Sequence, residues 1–227
     1  MAKTLIVAGF GPGISHAVAE QFGQQGFQLA LVSRSADKLE AAVATLKAKG
    51  ITAQAFPTDL SKADDVRAMV AKVRAALGPV TALHWNPYGA GGGDALSGDD
   101  AGLRNTFDIA VVSLAAAIGA ALPDLEATKG AVLVTNGGLG LFADQVDQTG
   151  VAWNAMGLSM ANSAKHKLGR MLVHQLGPKG VFVGEVMVTG LVKGTAFDTG
   201  TATIEPASVA QKFWDLFTAR TDAFTQI

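Results

Sequence analysis

Residues 4–15, TLIVAGFGPGIS, constrain the fold of this chain more than any other stretch. Their apolar beginning ends abruptly at Gly9, which is typical of a buried parallel strand followed by a turn. Gly9, Gly11 and Gly13 permit backbone angles and close approaches that a Cβ would block, and Ile14 begins a stretch with helical periodicity. A strand, a glycine turn and a helix in this order place free N–H groups against a pyrophosphate. Residues 4–15 therefore predict a nucleotide site, although such turns also occur where no ligand binds.

Short apolar segments alternate with predicted helices along the rest of the chain. The segments that predict strands are residues 5–8, 27–33, 51–57, 80–85, 131–135, 181–188 and, at the end, 223–227. The predicted helices are residues 14–22, 36–49, 62–77, 107–122, 151–176 and 206–218. Right-handed crossovers convert such an alternation into an α/β fold, with one doubly wound, Rossmann-type parallel sheet of six to seven strands and helices on both faces. A length of 227 residues suits a single domain over residues 1–227.

The composition excludes several classes of function. A net charge of −1 leaves no electrostatic footprint for a nucleic acid or an anionic membrane. The chain has no cysteine for disulfides or thiolate metal sites, and its histidines show no metal-site spacing with carboxylates, so we predict no metal. We expect no apolar run to approach the ~18 residues that span a bilayer. Because residues 1–10 lead directly into the first strand without a signal peptide, we expect a cytoplasmic protein.

Residues at the ends of the second and third strands are candidates for binding the adenine half of a dinucleotide. Arg34 directly follows Ser33, and no carboxylate occurs before Asp37. Guanidinium binds phosphate through charge-assisted hydrogen bonds, whereas NAD takes an acidic residue at this place, so Arg34 favours NADP(H). A merely solvated arginine is the alternative. After the third strand, Asp59 either accepts from an adenine amino group or begins the next helix, for which Ser61 is the predicted N-cap.

The end of the fourth strand is the predicted substrate side of the sheet. Asn86, Pro87 and Tyr88 lie at its carboxyl edge, where open α/β sheets bind ligands. The glycine-rich residues 89–93 that follow are predicted to be mobile. His84, within the strand, is predicted to be a packed core residue.

These motifs, in this order, resemble those of the short-chain dehydrogenase/reductase family over essentially the whole chain. The family's first-turn pattern, Gly-xxx-Gly-x-Gly, appears as Gly9-xxx-Gly13-x-Ser15, with serine replacing the last glycine. Asn86-Pro87-Tyr88-Gly89 occupies the place of its Asn-Asn-Ala-Gly segment, and Thr189-Gly190 stands where the family has Pro-Gly beside the nicotinamide. The resemblance implies NADP(H) as the cofactor and a cofactor site that includes Gly9, Gly11, Gly13, Ile14, Ser33, Arg34, Asp59, Leu60, Asn86, Pro87, Lys165, Thr189, Gly190 and Val192.

One member of the family's catalytic set is recognisable. Family members use an asparagine, a serine and a tyrosine four residues before a lysine, and Lys165 matches that lysine. The tyrosine position is Ala161, the serine position falls at or within one residue of Gly137, and the asparagine position is near Ala110. Without the tyrosine that would protonate an alkoxide, Lys165 keeps the role of hydrogen-bonding the nicotinamide ribose. Tyr88, the single tyrosine, is the candidate substitute acid, and further polar groups near the missing positions are Asn136, Asn154, Asn162 and Ser163.

Two functions are therefore open. The first is an atypical NADP(H)-dependent oxidoreductase that acts on a small carbonyl or alcohol substrate, with Lys165 and Tyr88 as its catalytic residues. The second is a catalytically inactive NADP(H)-binding sensor or assembly protein of the same fold. The resemblance further implies a homo-dimer or homo-tetramer built through the long helices after the fourth and fifth strands, where small residues allow close packing: Ala115, Ala116, Ala117 and Gly119.

Overall fold

The computed structural model describes residues 3–227, and within that range seven strands form one parallel sheet. The strands are β1 (Lys3–Ala8), β2 (Phe27–Ser33), β3 (Ala53–Pro57), β4 (Val80–Trp85), β5 (Ala131–Gly137), β6 (Phe182–Val188) and β7 (Phe224–Gln226). Their order across the sheet is β3-β2-β1-β4-β5-β6-β7. The order reverses between β1 and β4, which makes a crevice at the carboxyl ends of these two strands. The predicted doubly wound parallel sheet is confirmed.

Helices cover both faces of the sheet. They are α1 (Ile14–Gln24), α2 (Ala36–Ala48), α3 (Ala63–Leu77), α4 (Asp100–Phe107), α5 (Ser113–Thr128), α6 (Asp144–Ala152), α7 (Met156–Leu176) and α8 (Pro206–Ala219). Alternate side chains of a strand point to opposite faces. Ile6 and Ala8 of β1 therefore pack with α3, α5 and α7, whereas Leu5 and Val7 pack with α1, α2 and α8.

The glycine-rich residues 89–93 are packed against α4 and α7, and the prediction that they are mobile is not supported by their contacts. The carbonyl oxygens of Gly92 and Gly93 accept from the N–H groups of Gly157 and Met156 at 2.9 and 2.8 Å. These two carbonyl groups thus pair with free N–H groups at the beginning of α7.

The predicted single helix over residues 151–176 is wrong. It is divided into α6 and α7 at Asn154, which has a φ of 51°.

The predicted helix over residues 107–122 is part of a longer helical segment. Asp100–Thr128 is continuous, with a π-helical turn at Asp108–Val112 between α4 and α5. The Trp85 indole N–H donates at 3.2 Å to the Ile109 carbonyl within that turn. By length and composition this 29-residue segment, which contains an 18-residue window with a mean hydropathy of 1.8, could span a membrane, and this contradicts our expectation of no such run. Leu114, Ala117 and Leu125 pack into the core against the sheet, and that packing accounts for the apolar composition.

Candidate functional site

The turn after β1 is closed by Ser15, the residue at the family's last glycine position. Its buried hydroxyl donates to the Gly9 carbonyl at 3.0 Å and accepts from the Gly11 N–H at 3.1 Å. Gly13 is the N-cap of α1 and has no side chain to cap the helix, so the N–H groups from Ile14 onward lack a side-chain partner. An uncapped helix N-terminus favours an anion.

The chain after β6 returns over this turn. Thr195 lies so close to it that a Cβ on Gly13 would come within 2.6 Å of the Thr195 Cγ2. The Thr195 hydroxyl donates to the Val192 carbonyl at 2.8 Å, and Val192 is buried and bridges to Ile204. The sequence-based prediction of the cofactor site named Val192 and did not name Thr195, because nothing local in the sequence indicates that the loop folds back onto the first turn.

Thr189 and Gly190 lie exposed at the end of β6. The N–H and the hydroxyl of Thr189 both donate to the carbonyl oxygen of Ile227, at 2.8 and 2.9 Å. Gly190 contacts Ile204, whose Cδ1 lies 2.9 Å from the position that a Cβ on Gly190 would take. The Thr189 hydroxyl is thus engaged within the protein.

Arg34 is exposed at the end of β2, directly after the half-buried Ser33. Its guanidinium forms no salt bridge and no hydrogen bond within residues 3–227. The Ser33 carbonyl accepts from the Thr58 N–H at 2.9 Å, and the Phe10 N–H donates to the Val32 carbonyl at 2.9 Å. These bonds join the ends of β1, β2 and β3, so an unpaired cation lies on the same sheet edge as the uncapped N-terminus of α1.

Asp59 organises the turn between β3 and α3. Its Oδ1 accepts from the N–H and the hydroxyl of Ser61 at 3.1 and 2.7 Å, and these bonds hold the pKa of Asp59 below its usual value. The Ser61 hydroxyl therefore donates to the preceding Asp59 and does not cap α3. The N-cap of α3 is Lys62, which makes no side-chain cap hydrogen bond. The predicted N-cap role of Ser61 is wrong. Leu60 is buried in the core beside this turn.

The end of β4 packs directly against the glycine turn. A Cβ on Gly9 would lie 2.5 Å from the backbone nitrogen of Pro87, and the Asn86 N–H donates at 3.0 Å to the last carbonyl of β1. Tyr88 is 44% exposed, and its ring centroid lies 5.1 Å from that of Phe197 in the loop after β6. Tyr88 and Phe197 thus form an aromatic pair between the two loops that border the crevice.

Lys165 is a buried ammonium group on α7. The residue is 3% exposed, and its Nζ has no hydrogen bond or salt bridge to another described residue. Burial lowers the pKa of Lys165 from 10.5 to about 8, and the nearby Glu185 carboxylate opposes that shift. A buried cation without a direct partner is a strained arrangement that a ligand with oxygen acceptors would relieve.

Replacement of Lys165 by methionine is expected to stabilise the protein by up to about 3 kcal/mol at pH 7, because the fold then no longer desolvates a charge. The unfolded chain holds its proton up to pH 10.5 and the folded chain only up to about pH 8. Wild type therefore gains stability relative to the variant as the pH rises between these values. Urea unfolding of both proteins at pH 7 and pH 10 measures the difference, and a difference that does not change with pH would contradict the assignment.

A buried polar network lies next to Lys165, and sequence reasoning did not find it. Glu185 is 3% exposed; its Oε1 accepts from Asn136 Nδ2 at 2.6 Å and its Oε2 from His166 Nδ1 at 2.6 Å. Asn136 Nδ2 also donates to the Asn162 carbonyl at 3.0 Å. The available signal was a single carboxylate inside the apolar stretch VFVGEVMV. The network fixes the end of β5 to α7.

The residues predicted to stand at the family's tyrosine, asparagine and serine positions are small. Ala161 and Ala110 are buried, and Gly137 is half-buried at the end of β5. His84 is fully buried, as predicted; its Nε2 hydrogen-bonds the Thr135 hydroxyl at 3.0 Å, and burial lowers its pKa to about 3. In the part of the chain that the structure describes, no group of three or more His, Asp or Glu side chains could hold a metal ion.

Comparison of the sequence with known proteins identifies the family of this chain. The model of the short chain dehydrogenase family matches residues 3–203. A 2,3-dihydro-2,3-dihydroxybenzoate dehydrogenase of Bacillus subtilis is 35% identical over 81 residues, which cover 36% of this chain and 31% of that protein. The match thus spans about a third of the length of this curated relative.

Solved structures match the whole fold. A metagenomic short-chain oxidoreductase in complex with NADP has a TM-score of 0.83 and 21% identity, with 99% of this chain and 96% of that one covered. An NADPH-bound short-chain oxidoreductase of Pseudomonas aeruginosa PAO1, described as containing an atypical catalytic center, has a TM-score of 0.83 and 21% identity, with 99% and 94% covered. Because the family model covers most of the chain, the protein belongs to the short-chain dehydrogenase family.

Proposed function

We propose that the protein is an NADP(H)-dependent oxidoreductase with an atypical catalytic site, acting on a small carbonyl or alcohol substrate. The observation that carries this proposal is the unpaired Arg34 guanidinium on the same sheet edge as the uncapped N-terminus of α1. A 2′-phosphate and a pyrophosphate are the anions that such a pair of sites fits. The two solved neighbours described above hold NADP and NADPH, which supports the same cofactor here.

The residues around the turn fit a dinucleotide. Gly11 has nothing within 4 Å of the position of a Cβ, so the turn is open on that side. In the proposed complex the N–H groups at the start of α1 bind the pyrophosphate, Arg34 binds the 2′-phosphate, and Asp59 and the Leu60 backbone border the adenine. Asn86 and Pro87 at the end of β4, with Thr189, Gly190 and Val192 after β6, border the nicotinamide half. Bound NADPH supplies a hydride.

Lys165 and Tyr88 have separate roles in this proposal. The Lys165 ammonium is buried and lacks a hydrogen-bond partner in the described chain, so it is suited to bind the hydroxyls of the nicotinamide ribose. Tyr88 is exposed at the crevice and carries the chain's one phenol, so it is the candidate proton donor. The buried Ala161 offers no acid, and a substrate whose reduction needs little acid catalysis fits this site.

Titration with NADPH and NADH tests the cofactor assignment. Arg34→Ala is expected to weaken NADPH binding about ten- to hundredfold, because a charge-assisted phosphate contact is lost, and to leave NADH binding nearly unchanged. Arg170→Ala removes an exposed arginine from α7 and serves as the matched control. Binding is measured by nucleotide fluorescence or calorimetry. Failure of wild type to bind either nucleotide, or equal losses for both nucleotides, would overturn the assignment.

The alternative function, a catalytically inactive NADP(H)-binding sensor or assembly protein, is favoured by the small residues Ala161 and Gly137. Turnover discriminates the two proposals. NADPH oxidation with a panel of carbonyl compounds, abolished by Tyr88→Phe, supports the enzyme. Tight NADPH binding without oxidation by any of them supports the sensor.

We further infer a cytoplasmic, single-domain protein that forms a homo-dimer or homo-tetramer through α5 and α7. Of the small residues expected at that contact, Ala116 and Ala117 are buried, whereas Ala115 and Gly119 are exposed. Exposed apolar side chains on the same helical segments, Val112, Met160 and Met171, support a subunit contact there.

A further inference from the structure

Asn162 presents an unengaged amide at the carboxyl end of β5. The residue lies on α7 and is 4% exposed, yet its side chain forms no hydrogen bond with any other described residue. Its Nδ2 is 2.8 Å from the position that a Cβ on Gly137 would occupy. Among the described residues, the unpaired side-chain atoms that are sealed from solvent are His84 Nδ1 and Ser113 Oγ, so the Asn162 amide stays accessible and free to donate to a ligand group.

The backbone of Asn162 is fixed although its amide is not engaged. Its carbonyl oxygen accepts from Asn136 Nδ2 at 3.0 Å, and Asn136 is held in turn by Glu185 at 2.6 Å. The Gly137 N–H donates to Asn136 Oδ1 at 3.0 Å, so β5 and α7 are joined at this point. A Cβ on Gly140 would come within 2.9 Å of the Asn162 Cβ. The backbone that carries the donor is therefore held in place, which favours a preorganised group of the kind that stabilises developing charge.

The other uncharged polar side chains at this edge are either hydrogen-bonded within the protein or exposed. The Ser163 hydroxyl donates to the Gly140 and Ser159 carbonyls at 2.9 and 3.1 Å. The Thr135 hydroxyl pairs with His84 at 3.0 Å. Asn154 is exposed on the turn between α6 and α7. Among the uncharged polar side chains of β5 and of residues 156–163 in α7, Asn162 is therefore the buried one that is free to receive a ligand, whereas the Lys165 ammonium is assigned above to the nicotinamide ribose.

We propose that the Asn162 amide, which lies where a side chain at residue 137 would collide with it, donates a hydrogen bond to the carbonyl oxygen of the substrate. This proposal rests on the proposed function as an NADP(H)-dependent oxidoreductase. When the carbonyl carbon accepts a hydride from NADPH, the C–H bond of the reduced nicotinamide breaks and leaves NADP⁺, a new C–H bond forms on the substrate, and the π electron pair of the carbonyl moves to the oxygen. The Nδ2–H of Asn162 stabilises that negative charge. An amide keeps its own proton at neutral pH, so the proton that completes the alcohol comes from Tyr88 or water.

The test uses 2,3-butanedione, a small activated ketone, as the probe. In the NADP⁺ complex, which has no hydride to transfer, butanedione is expected to shift the side-chain NH₂ resonance of Asn162. That resonance is assigned by its loss in Asn162→Ala. The exposed Asn105 supplies the control resonance, and Asn105→Ala supplies the matched variant. An Asn162 resonance that does not move at the highest soluble butanedione concentration overturns the proposal, and a shift without turnover supports the contact.

Kinetics supply the second readout. Butanedione-dependent NADPH oxidation is expected to fall about 10²–10³-fold in kcat for Asn162→Ala, as for other single oxyanion donors. Asn162→Asp, which keeps the shape and loses the donor, should lose as much, and Asn105→Ala should match wild type. NADPH affinity, measured separately, should stay within about threefold of wild type in all variants. An Asn162→Ala protein as active as wild type overturns this proposal alone, whereas a wild-type protein that binds no NADPH overturns the proposed function.

Discussion

Replacement of Glu185 by alanine is expected to lower the free energy of unfolding by about 3–5 kcal/mol, because it removes one partner of a buried ionic network. The carboxylate accepts from His166 and Asn136, and its charge partly compensates the buried Lys165 ammonium. The truncation leaves all three groups without that partner and opens a cavity between β6 and α7. Urea unfolding followed by tryptophan fluorescence measures the loss.

Glu185→Gln is the matched control for this prediction. Glutamine has the same shape, its oxygen can still accept from Asn136, and its NH₂ can donate to His166 in the other tautomer. We expect a loss of about 1–2 kcal/mol, since hydrogen bonds are kept and the charge is lost. If Glu185→Ala were as stable as wild type, or no less stable than Glu185→Gln, the network would not stabilise the fold as described.

Replacement of Gly9 by alanine is expected to destabilise the protein by about 2–5 kcal/mol. Gly9 has a φ of 74°, which a residue with a Cβ adopts only at a cost of about 1–2 kcal/mol. The new Cβ would also lie 2.5 Å from the Pro87 backbone nitrogen, and overpacking of this kind costs about 1–3 kcal/mol more. Thermal unfolding by circular dichroism, together with soluble yield, measures the effect.

Gly11→Ala is the matched control, only two residues away in the same turn. Gly11 has no positive φ, and no heavy atom lies within 4 Å of the position of its Cβ. We therefore expect a stability within about 0.5 kcal/mol of wild type or slightly above it. The same methyl group would occupy the open side of the turn, so NADPH affinity should fall. Equal destabilisation by both substitutions would show that the close approach of Pro87 is not what requires glycine at position 9.

Local patterns in the sequence were sufficient to predict the strands of the sheet and the glycine turn at its carboxyl edge. Apolar runs such as VTALHW predicted β4 with its observed bounds, because a strand buried on both faces must be apolar throughout. The positive φ angles of Gly9 and Gly13 could be predicted in the same way, since both residues belong to the local turn between β1 and α1. These features depend on neighbours in sequence, so the amino-acid sequence alone was sufficient for them.

The contacts that complete the candidate site depend on tertiary structure. The carbonyl groups of Gly92 and Gly93 accept hydrogen bonds from the start of α7, at Gly157 and Met156, which lie 65 and 63 residues later in the chain, and no periodicity in the sequence indicates that contact. In the sequence, Glu185 is an unexplained carboxylate within an apolar strand. Its hydrogen-bond partners, Asn136 and His166, lie 49 and 19 residues away along the chain and contact it only in the folded protein. Hydrophobic periodicity is a property of residues that are close in sequence, so it predicts the helices and strands. Hydrogen bonds and close packing join residues that are far apart in sequence, so the contacts between these elements could not be predicted.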